Sequence, residues 1–161
     1  IAGSKLTGVG ITEADQWRLT ADFADNVNPI ASNLERVDTN GFGKLGTGMT
    51  QSSGIFTFPS TGIWKIEAVG NFSCSTLSTY NTLYIYTTTD NSNYGSAASS
   101  RGNTPVNTTY TSVICNSIFD VTDTSTHKVN FRVVSQDTNS ITRGNSSSNE
   151  TYFTFIRLGD T

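Results

Sequence analysis

The glycine-rich segment and the single histidine are the first places where this sequence could carry chemistry. Gly41, Gly43 and Gly46 match the G-x-G-x-x-G spacing that holds a dinucleotide pyrophosphate at the start of a helix. No helical pattern follows Gly46, so residues 41–48 are predicted to form turns and bulges of a β-ribbon. His127 lies beside Lys128 at a predicted strand start and is interpreted as a solvated turn histidine. Neither feature indicates catalysis, and the chain is predicted not to be an enzyme.

The acidic residues and the two cysteines are also weak candidates for a site. Asp120, Asp123 and Asp137 fall in predicted turns, where Asp is common. Their oxygens are of the type that binds Ca²⁺, but no ligand spacing supports a site, so no cofactor is expected and Ca²⁺ is the alternative. Cys74 and Cys115 are far apart and match no metal spacing. Reduced thiols are favoured for them, and a disulfide stays open.

Composition predicts an all-β fold. Charged residues make up 14% of the chain, and 46 of the 161 residues are Ser or Thr. Hydroxyl side chains compete for backbone hydrogen bonds in helices, whereas Thr fits a pleated strand. The formal net charge is −3, and no basic cluster is present to contact phosphates, which excludes a nucleic-acid partner. The apolar runs are only as long as strands, so membrane insertion is not expected.

Alternating apolar and polar residues predict the strands. They are expected at residues 17–23, 34–37, 83–88, 112–119, 128–135 and 151–158, with long polar loops at 90–109 and 136–149. The strongest local signal is a hairpin in which a strand at 54–58, a turn at 59–62 and a strand at 63–74 follow one another. Residues 1–12 are predicted to be a linker or N-terminal arm, and residues 13–161 one domain.

The last predicted strand is apolar on both of its faces. Tyr152, Ile156 and their alternate neighbours point one way, whereas Phe153 and Phe155 point the other. A two-layer sandwich buries only one face of each strand in its core. Either this strand is central and its outer face is covered by a loop, or that face contacts another subunit, and the pattern favours oligomerisation.

The pattern Gly54-x-Phe56-x-Phe58-Pro59-x-x-Gly62-Ile63-Trp64 resembles the signature hairpin of the complement globular-head family, within the tumour-necrosis-factor-like (TNF-like) superfamily. The ending Tyr152-Phe153-Thr154-Phe155-Ile156-Arg157-Leu158 resembles the last strand of that family. Thr154 departs from it, because the family often has Gly there, and Arg157 replaces a usual apolar residue. The resemblance implies a ten-stranded jelly roll that forms homotrimers.

The resemblance also implies which residues face the threefold axis and which fill the core. The implied trimer interface consists of Ile63, Lys65, Glu67, Val69, Tyr152, Thr154, Ile156 and Leu158. The implied core consists of Phe56, Phe58, Trp64, Ile66, Phe131, Phe153 and Phe155. Glu67 is expected to be neutralised by Lys65 or Arg132 of a neighbouring subunit, because an unpaired buried charge is costly.

The location of the protein is predicted from the overall amino-acid composition of the chain. Its Ser/Thr/Asn-rich, Cys-poor sequence resembles jelly-roll modules in virion proteins of tailed bacteriophages, which serve as tail-fibre heads, tail appendages or capsid-decorating cement proteins. We expect a structural or adhesion module on a virion surface, whose partners are itself, other virion proteins or a host cell-surface receptor. Tyr80, Tyr94 and Tyr110, in or near predicted loops, are candidate receptor contacts. The alternative is a secreted complement-like or cytokine-like ligand.

Overall fold

The structure, a computed structural model, describes residues 10–105 and 109–161, so most of the predicted linker lies outside the described residues. The described residues form twelve strands and no helix, and therefore no helix long and apolar enough to cross a bilayer. The strands are β1 (Ala14–Leu19), β2 (Phe23–Ala24), β3 (Leu34–Arg36), β4 (Thr50–Ser52), β5 (Ile55–Thr57), β6 (Gly62–Cys74), β7 (Ser78–Thr88), β8 (Gly95–Thr104), β9 (Thr109–Val121), β10 (Lys128–Ser135), β11 (Ser140–Thr142) and β12 (Tyr152–Gly159).

Two antiparallel sheets pack face to face. The seven-stranded sheet has the order β2-β11-β6-β12-β1-β3, with β9 on the other edge of β6. The five-stranded sheet has the order β4-β5-β10-β7-β8. Five strands in each sheet make the ten-stranded jelly roll that was predicted, and the short β2 and β11 form an addition to the first sheet. The all-β jelly-roll fold is confirmed.

Aromatic side chains fill the space between the sheets. Phe131 and Phe153 stack with ring centroids 3.8 Å apart, and Phe56 lies 5.2 Å from Phe155. Phe58 packs on Trp64 with centroids 5.1 Å apart. The structure buries all seven side chains that were implied for the core: Phe56, Phe58, Trp64, Ile66, Phe131, Phe153 and Phe155. Offset and edge contacts between such rings stabilise the core beyond the burial of their area.

The predicted hairpin at residues 54–74 is wrong, because β5 and β6 do not pair with each other. β5 pairs with β4 and β10 in the five-stranded sheet, whereas β6 pairs with β9, β11 and β12 in the other. The turn at Pro59–Gly62 therefore carries the chain across the sandwich. The indole Nε1 of Trp64 donates to the Ser60 carbonyl at 3.2 Å and fixes this corner. Two strands joined by a turn show the same alternation of apolar and polar residues whether they pair as a hairpin or lie in opposite sheets.

Three other elements differ from the prediction. The first strand ends at Leu19 rather than at residue 23, and Phe23 begins the separate β2. Half of the predicted polar loop at 90–109 is the strand β8, whose small hydroxyl side chains lack an apolar alternation. The predicted loop at 136–149 contains β11. β8 is held by backbone hydrogen bonds to β7, and β11 by backbone hydrogen bonds to β6. Such pairing cannot be predicted from the pattern of side chains.

Both cysteines are free and buried. Cys74 pairs with Thr109 across β6 and β9, whereas Cys115 pairs with Ala68, six residues back along β6. Six residues of strand span about 20 Å, so the two sulfurs cannot form a disulfide. Burial raises the pKa of Cys115 to about 11, which keeps its thiol protonated at neutral pH.

Candidate functional site

The solvent-facing side of the seven-stranded sheet, the association face, presents the side chains that were implied for a trimer interface. Along β6, buried Trp64, Ile66 and Ala68 point into the core, and the residues between them point outward. Along β12, Phe153 and Phe155 are buried, and their neighbours are half-buried on the outer side. The outward set on these two strands is Ile63, Lys65, Glu67, Tyr152, Thr154 and Ile156, together with Val69, which is only 7% exposed.

Strand register arranges this face in three rows across β9, β6 and β12. The rows are Ile114, Val69 and Tyr152; Asn116, Glu67 and Thr154; and Ile118, Lys65 and Ile156. Adjacent strands lie about 4.8 Å apart and alternate residues about 6.8 Å apart, so these nine side chains form one contiguous patch. Apolar residues dominate the two outer rows, and the middle row is polar.

β9 supplies the most exposed apolar side chains of the association face. Ile114 and Ile118 are 59% and 61% exposed, and Tyr110 is 73% exposed on the same side of the strand. None of these three residues was predicted to lie at a subunit interface. The sequence does contain the pattern that predicts such a contact. Val113 and Cys115 point to the core while Ile114 points outward, so β9, like β12, has apolar residues on both faces.

The polar row is paired within the chain. Lys65 Nζ lies 3.1 Å from Glu67 Oε2, and Gln16 Nε2 donates to Thr154 Oγ1 at 2.9 Å. Lys65 and Glu67 thus form an ion pair within one chain. Arg132 lies on β10 of the five-stranded sheet and does not share this face, and the expected pairing of Glu67 with Lys65 or Arg132 of a neighbouring subunit stays a prediction.

Leu158 lies at the edge of the association face, past Ile156, where the regular pairing of β12 with β6 is interrupted. A bulge between Arg157 and Gly159 interrupts the pairing of β12 with β6, and Leu158 is 49% exposed. Arg157 turns to the corner instead of the core: its Nε donates to the Thr61 carbonyl at 2.8 Å, and it pairs with Asp160. An arginine at this apolar position of the family pattern thus binds the corner between the sheets.

The three tyrosines expected in receptor loops lie in different places. Tyr80 is part of β7, with the Arg101 guanidinium 5.4 Å from its ring centroid. Tyr110 is part of β9. Tyr94 is the one of the three that lies in a loop, between β7 and β8. They do not form a single cluster of loop residues, because they belong to opposite sheets.

The residues considered for chemistry serve local structure. His127 is buried rather than solvated, with its ring 5.6 Å from that of Phe119 and its nitrogens near the hydroxyls of Thr122 and Thr126. Hydrogen bonds from Ser125 lower the pKa of Asp123 in its turn. Within the ranges that the structure describes, no group of three or more His, Cys, Asp or Glu side chains is placed to hold a metal ion.

The glycine-rich segment is a loop held by carboxylates. Glu13 accepts hydrogen bonds from the backbone of Thr47 at 3.1 Å and of Gly48 at 2.9 Å, and Asp15 accepts one from Met49 at 2.8 Å. Carboxylates of β1 and of the residue before it thus hold the end of this loop, and no helix follows it in the described part of the chain.

Comparison with known proteins finds similarity in structure but not in sequence. No family model and no curated protein sequence matches the chain. The structure of Eiger TNF from S. frugiperda superposes with a TM-score of 0.67 at 9% identity, covering 92% of this chain and 93% of that one. Murine APRIL at pH 5.0 superposes with a TM-score of 0.65 at 11% identity, covering 91% of this chain and 98% of that one. Murine APRIL at pH 8.0 gives 0.61 at 12% identity, with the same coverage.

These structural similarities extend over nearly the whole described sandwich. At such low sequence identity they show a shared fold and not a shared activity. Together with the strand order of the two sheets, they establish that this chain has the TNF-like jelly-roll fold.

Proposed function

We propose that this chain is a non-enzymatic subunit of a homotrimer that assembles through the association face and serves as a structural or adhesion module. The observation that carries the proposal is the exposure of Ile114 and Ile118 on β9, in register with Val69 and Ile156. Contiguous apolar surface of this kind on a soluble domain marks a protein contact. Full burial of each isoleucine stabilises an assembly by about 1.5–3 kcal/mol.

A closed symmetric assembly suits this patch. A threefold ring is built from heterologous contacts, in which one part of the face packs against a different part of the neighbour's face. The ring closes when three such rotations complete a turn, whereas contacts that do not close form fibres. The paired Lys65 and Glu67 contribute to specificity, because they already neutralise each other at 3.1 Å and can be covered by a neighbour without leaving a lone charge. The polar row of one subunit then determines how its two apolar rows align with those of the neighbouring subunit.

The double substitution Ile114→Asp and Ile118→Asp tests the assembly. Both side chains are mostly exposed in the single chain, so the fold should survive while the contact is lost. We expect the wild-type protein to elute in size-exclusion chromatography with light scattering at three times the chain mass of 17.3 kDa, and the variant at one.

The matched control is Val134→Asp, which places the same charge on an exposed valine of β10, on the opposite sheet. This variant should remain trimeric. A wild-type protein with the mass of one chain, or a double variant that stays trimeric, contradicts the proposal.

The setting that we propose is the surface of a virion, as a tail-appendage or fibre head or as a capsid-decorating protein, on the basis of the hydroxyl-rich sequence texture. Particles assembled without this chain test it. Loss of shell stability indicates a cement role, and lost adsorption to cells with an unchanged shell indicates an adhesion role.

A secreted trimeric ligand is the second candidate, favoured by the structural likeness to Eiger TNF and APRIL. Absence of the chain from purified particles, together with its recovery as a free trimer outside cells, would select this candidate.

A further inference from the structure

The solvent-facing side of the five-stranded sheet carries a cluster of aromatic and cationic side chains, the tyrosine–arginine patch, which consists of Tyr80, Tyr84, Tyr86, Arg101 and Arg132. Tyr84 and Tyr86 pack edge to face with centroids 5.7 Å apart. The guanidinium of Arg132 lies 3.7 Å above the Tyr86 ring, and that of Arg101 lies 5.4 Å from Tyr80. Leu83 and Ile85 of the same strand point the other way, into the core.

The two arginines of this patch differ from the other arginines in the described part of the chain. Four others each lie within 4.0 Å of a carboxylate: Arg18, Arg36, Arg143 and Arg157. Arg101 and Arg132 have no such ion pair among the described residues. Their Nε atoms lie near neutral oxygens instead, Thr82 Oγ1 at 3.1 Å and Asn130 Oδ1 at 3.4 Å. On a chain with a net charge of −3, two uncompensated guanidiniums are thus gathered on one face.

Tyr94 lies close to both Arg132 and Asp90. The Asp90 carboxylate is already engaged, because it accepts hydrogen bonds from the backbone of Ser92 at 2.9 Å and of Asn93 at 2.7 Å, and from the Asn93 side chain. The phenol oxygen of Tyr94 is buried without a hydrogen-bond partner, so it is not presented to a ligand. The unused polar capacity of this face therefore lies at the two guanidiniums.

The register of β7 sets the distance between the two charges. Arg132 is paired with Tyr84 on one side of β7, and Arg101 is paired with Thr82 on the other. Two strand spacings and an offset of two residues separate their Cα atoms by about 12 Å. Ser99, which pairs with Tyr84, and Ser96, which pairs with Tyr86, add exposed hydroxyls to the same surface.

The shape of this surface favours a flat, hydroxyl-rich ligand over a peptide. Peptides bind by adding a strand to an open sheet edge or by placing apolar anchors in a groove. The tyrosines lie on β7, which is paired on both edges, with β10 and β8, so a peptide could add a strand only at the outer edge of β8, away from the rings. Two well-formed cavities of the described residues both lie on the other sheet. Guanidinium groups bind carboxylate and sulfate groups through two parallel hydrogen bonds, and tyrosine rings pack against the apolar faces of sugar rings.

We propose that the tyrosine–arginine patch binds an anionic polysaccharide, with Arg101 and Arg132 each holding an acidic group of the polymer and Tyr84 and Tyr86 packing against the sugar rings between them. This patch faces away from the association face. Binding therefore does not require the trimer of the proposed function, and the two proposals can fail separately.

Binding of defined polymers to the full chain tests the proposal. The probes are polygalacturonate, which carries carboxylates, heparin, which carries sulfates as well, dextran as the neutral saccharide, and poly-glutamate as the anionic peptide. We expect polygalacturonate or heparin to bind, with an affinity that falls as the ionic strength rises from about 0.05 to 0.5 M, and dextran not to bind. Whichever of these two polymers binds more tightly shows whether the patch prefers carboxylate or sulfate groups.

The variants Arg132→Gln and Arg101→Gln should each weaken binding of that polymer about tenfold or more, because each removes a charge-assisted contact. Lys44→Gln is the control, since it removes the same charge from a loop beside the other sheet and should leave binding unchanged. Arg101 is exposed on the edge strand β8, so Arg101→Gln gives a second reading if the Arg132 variant folds poorly.

Three results would overturn the proposal: the arginine variants bind as the wild type does, dextran binds as well as the acidic polymers, or poly-glutamate binds as tightly and depends on the same arginines. The last result would instead assign the patch to an acidic peptide. The oligomeric state, measured on the same samples, reports separately on the proposed trimer.

Discussion

The buried carboxylate of Asp15 joins three separate parts of the chain. It pairs with Arg36 Nε at 3.0 Å, accepts the indole N–H of Trp17 at 3.0 Å, and accepts the backbone N–H of Met49 at 2.8 Å. These contacts connect β1 to β3 and to the glycine-rich loop. Each donor would be left unsatisfied if the carboxylate were removed, and unsatisfied buried donors are costly.

We expect Asp15→Ala to lower the free energy of unfolding by about 3 kcal/mol, below the upper range for a buried ion pair because Arg36 keeps a third of its side chain in solvent. Urea denaturation measures the change. Asp160→Ala is the control, since Asp160 is 92% exposed and its pair with Arg157 should contribute less than about 1 kcal/mol. Equal effects of the two substitutions would contradict this role for Asp15.

Individual polar residues were the part of the molecule that the sequence predicted least well. Asp15 and Arg36 are 21 residues apart and lie in elements whose pairing no local pattern records. His127 was expected in solvent because of its polar neighbours, yet the packing of Phe119 buries it. Burial of a polar residue depends on distant parts of the chain, so residue type and spacing do not determine it.

At the scale of elements, the approach to β5 depends on one glycine. Gly54 has a φ of +78°, and a Cβ at this position would lie 2.0 Å from the backbone oxygen of Ile30. That oxygen belongs to the backbone, so it cannot turn aside as a side chain would. The segment before β3 and the start of β5 can pass this closely only because residue 54 has no side chain.

Gly54→Ala should therefore lower the free energy of unfolding by at least about 2 kcal/mol, from the strained φ together with the backbone clash. Gly95→Ala is the matched control, because a Cβ there meets nothing within 4 Å and its φ is ordinary. That variant should be neutral or stabilised by up to about 1 kcal/mol. Thermal or urea unfolding of both proteins measures the difference, and similar shifts would show that Gly54 is not required.

Strands with an apolar alternation were predicted from the sequence, and strands without one were missed. β10 and β12 follow the expected spans closely, because buried apolar residues alternate along them: Val129, Phe131 and Val133 in β10, and Phe153 and Phe155 in β12. β8 was missed because its inward side chains are small and its position depends on backbone pairing with β7. The corner at Pro59–Gly62 was read as a hairpin because partner choice is decided by packing across the whole sandwich.

At the scale of the whole molecule, the sequence indicated only part of the surface that we propose as the subunit interface. The two apolar faces of β12 indicated contact with another subunit, and the resemblance added β6. The exposed isoleucines of β9 complete the patch, and they became visible only when the register placed them beside β6. Which residues share a face can be predicted within a strand, but their neighbours across strands depend on the topology.

Assembly should link stability to protein concentration. If unfolding separates three chains, a hundredfold dilution should lower the melting temperature of the wild-type protein by about 5 °C. The variant with Asp at positions 114 and 118 should melt at a temperature independent of concentration. Differential scanning calorimetry at several concentrations measures both, and a wild-type midpoint that does not move on dilution would rule out a folding-coupled trimer.

The back-to-back arrangement of the two sheets affects how firmly such an assembly could hold a surface. Contact through the seven-stranded sheet would leave three copies of the five-stranded sheet pointing outward. Three weak sites that engage one repeating polymer together gain about 10²–10⁴-fold in apparent affinity when their spacing permits simultaneous contact. Modest single contacts would then suffice for durable attachment, because release would require all three to open at once.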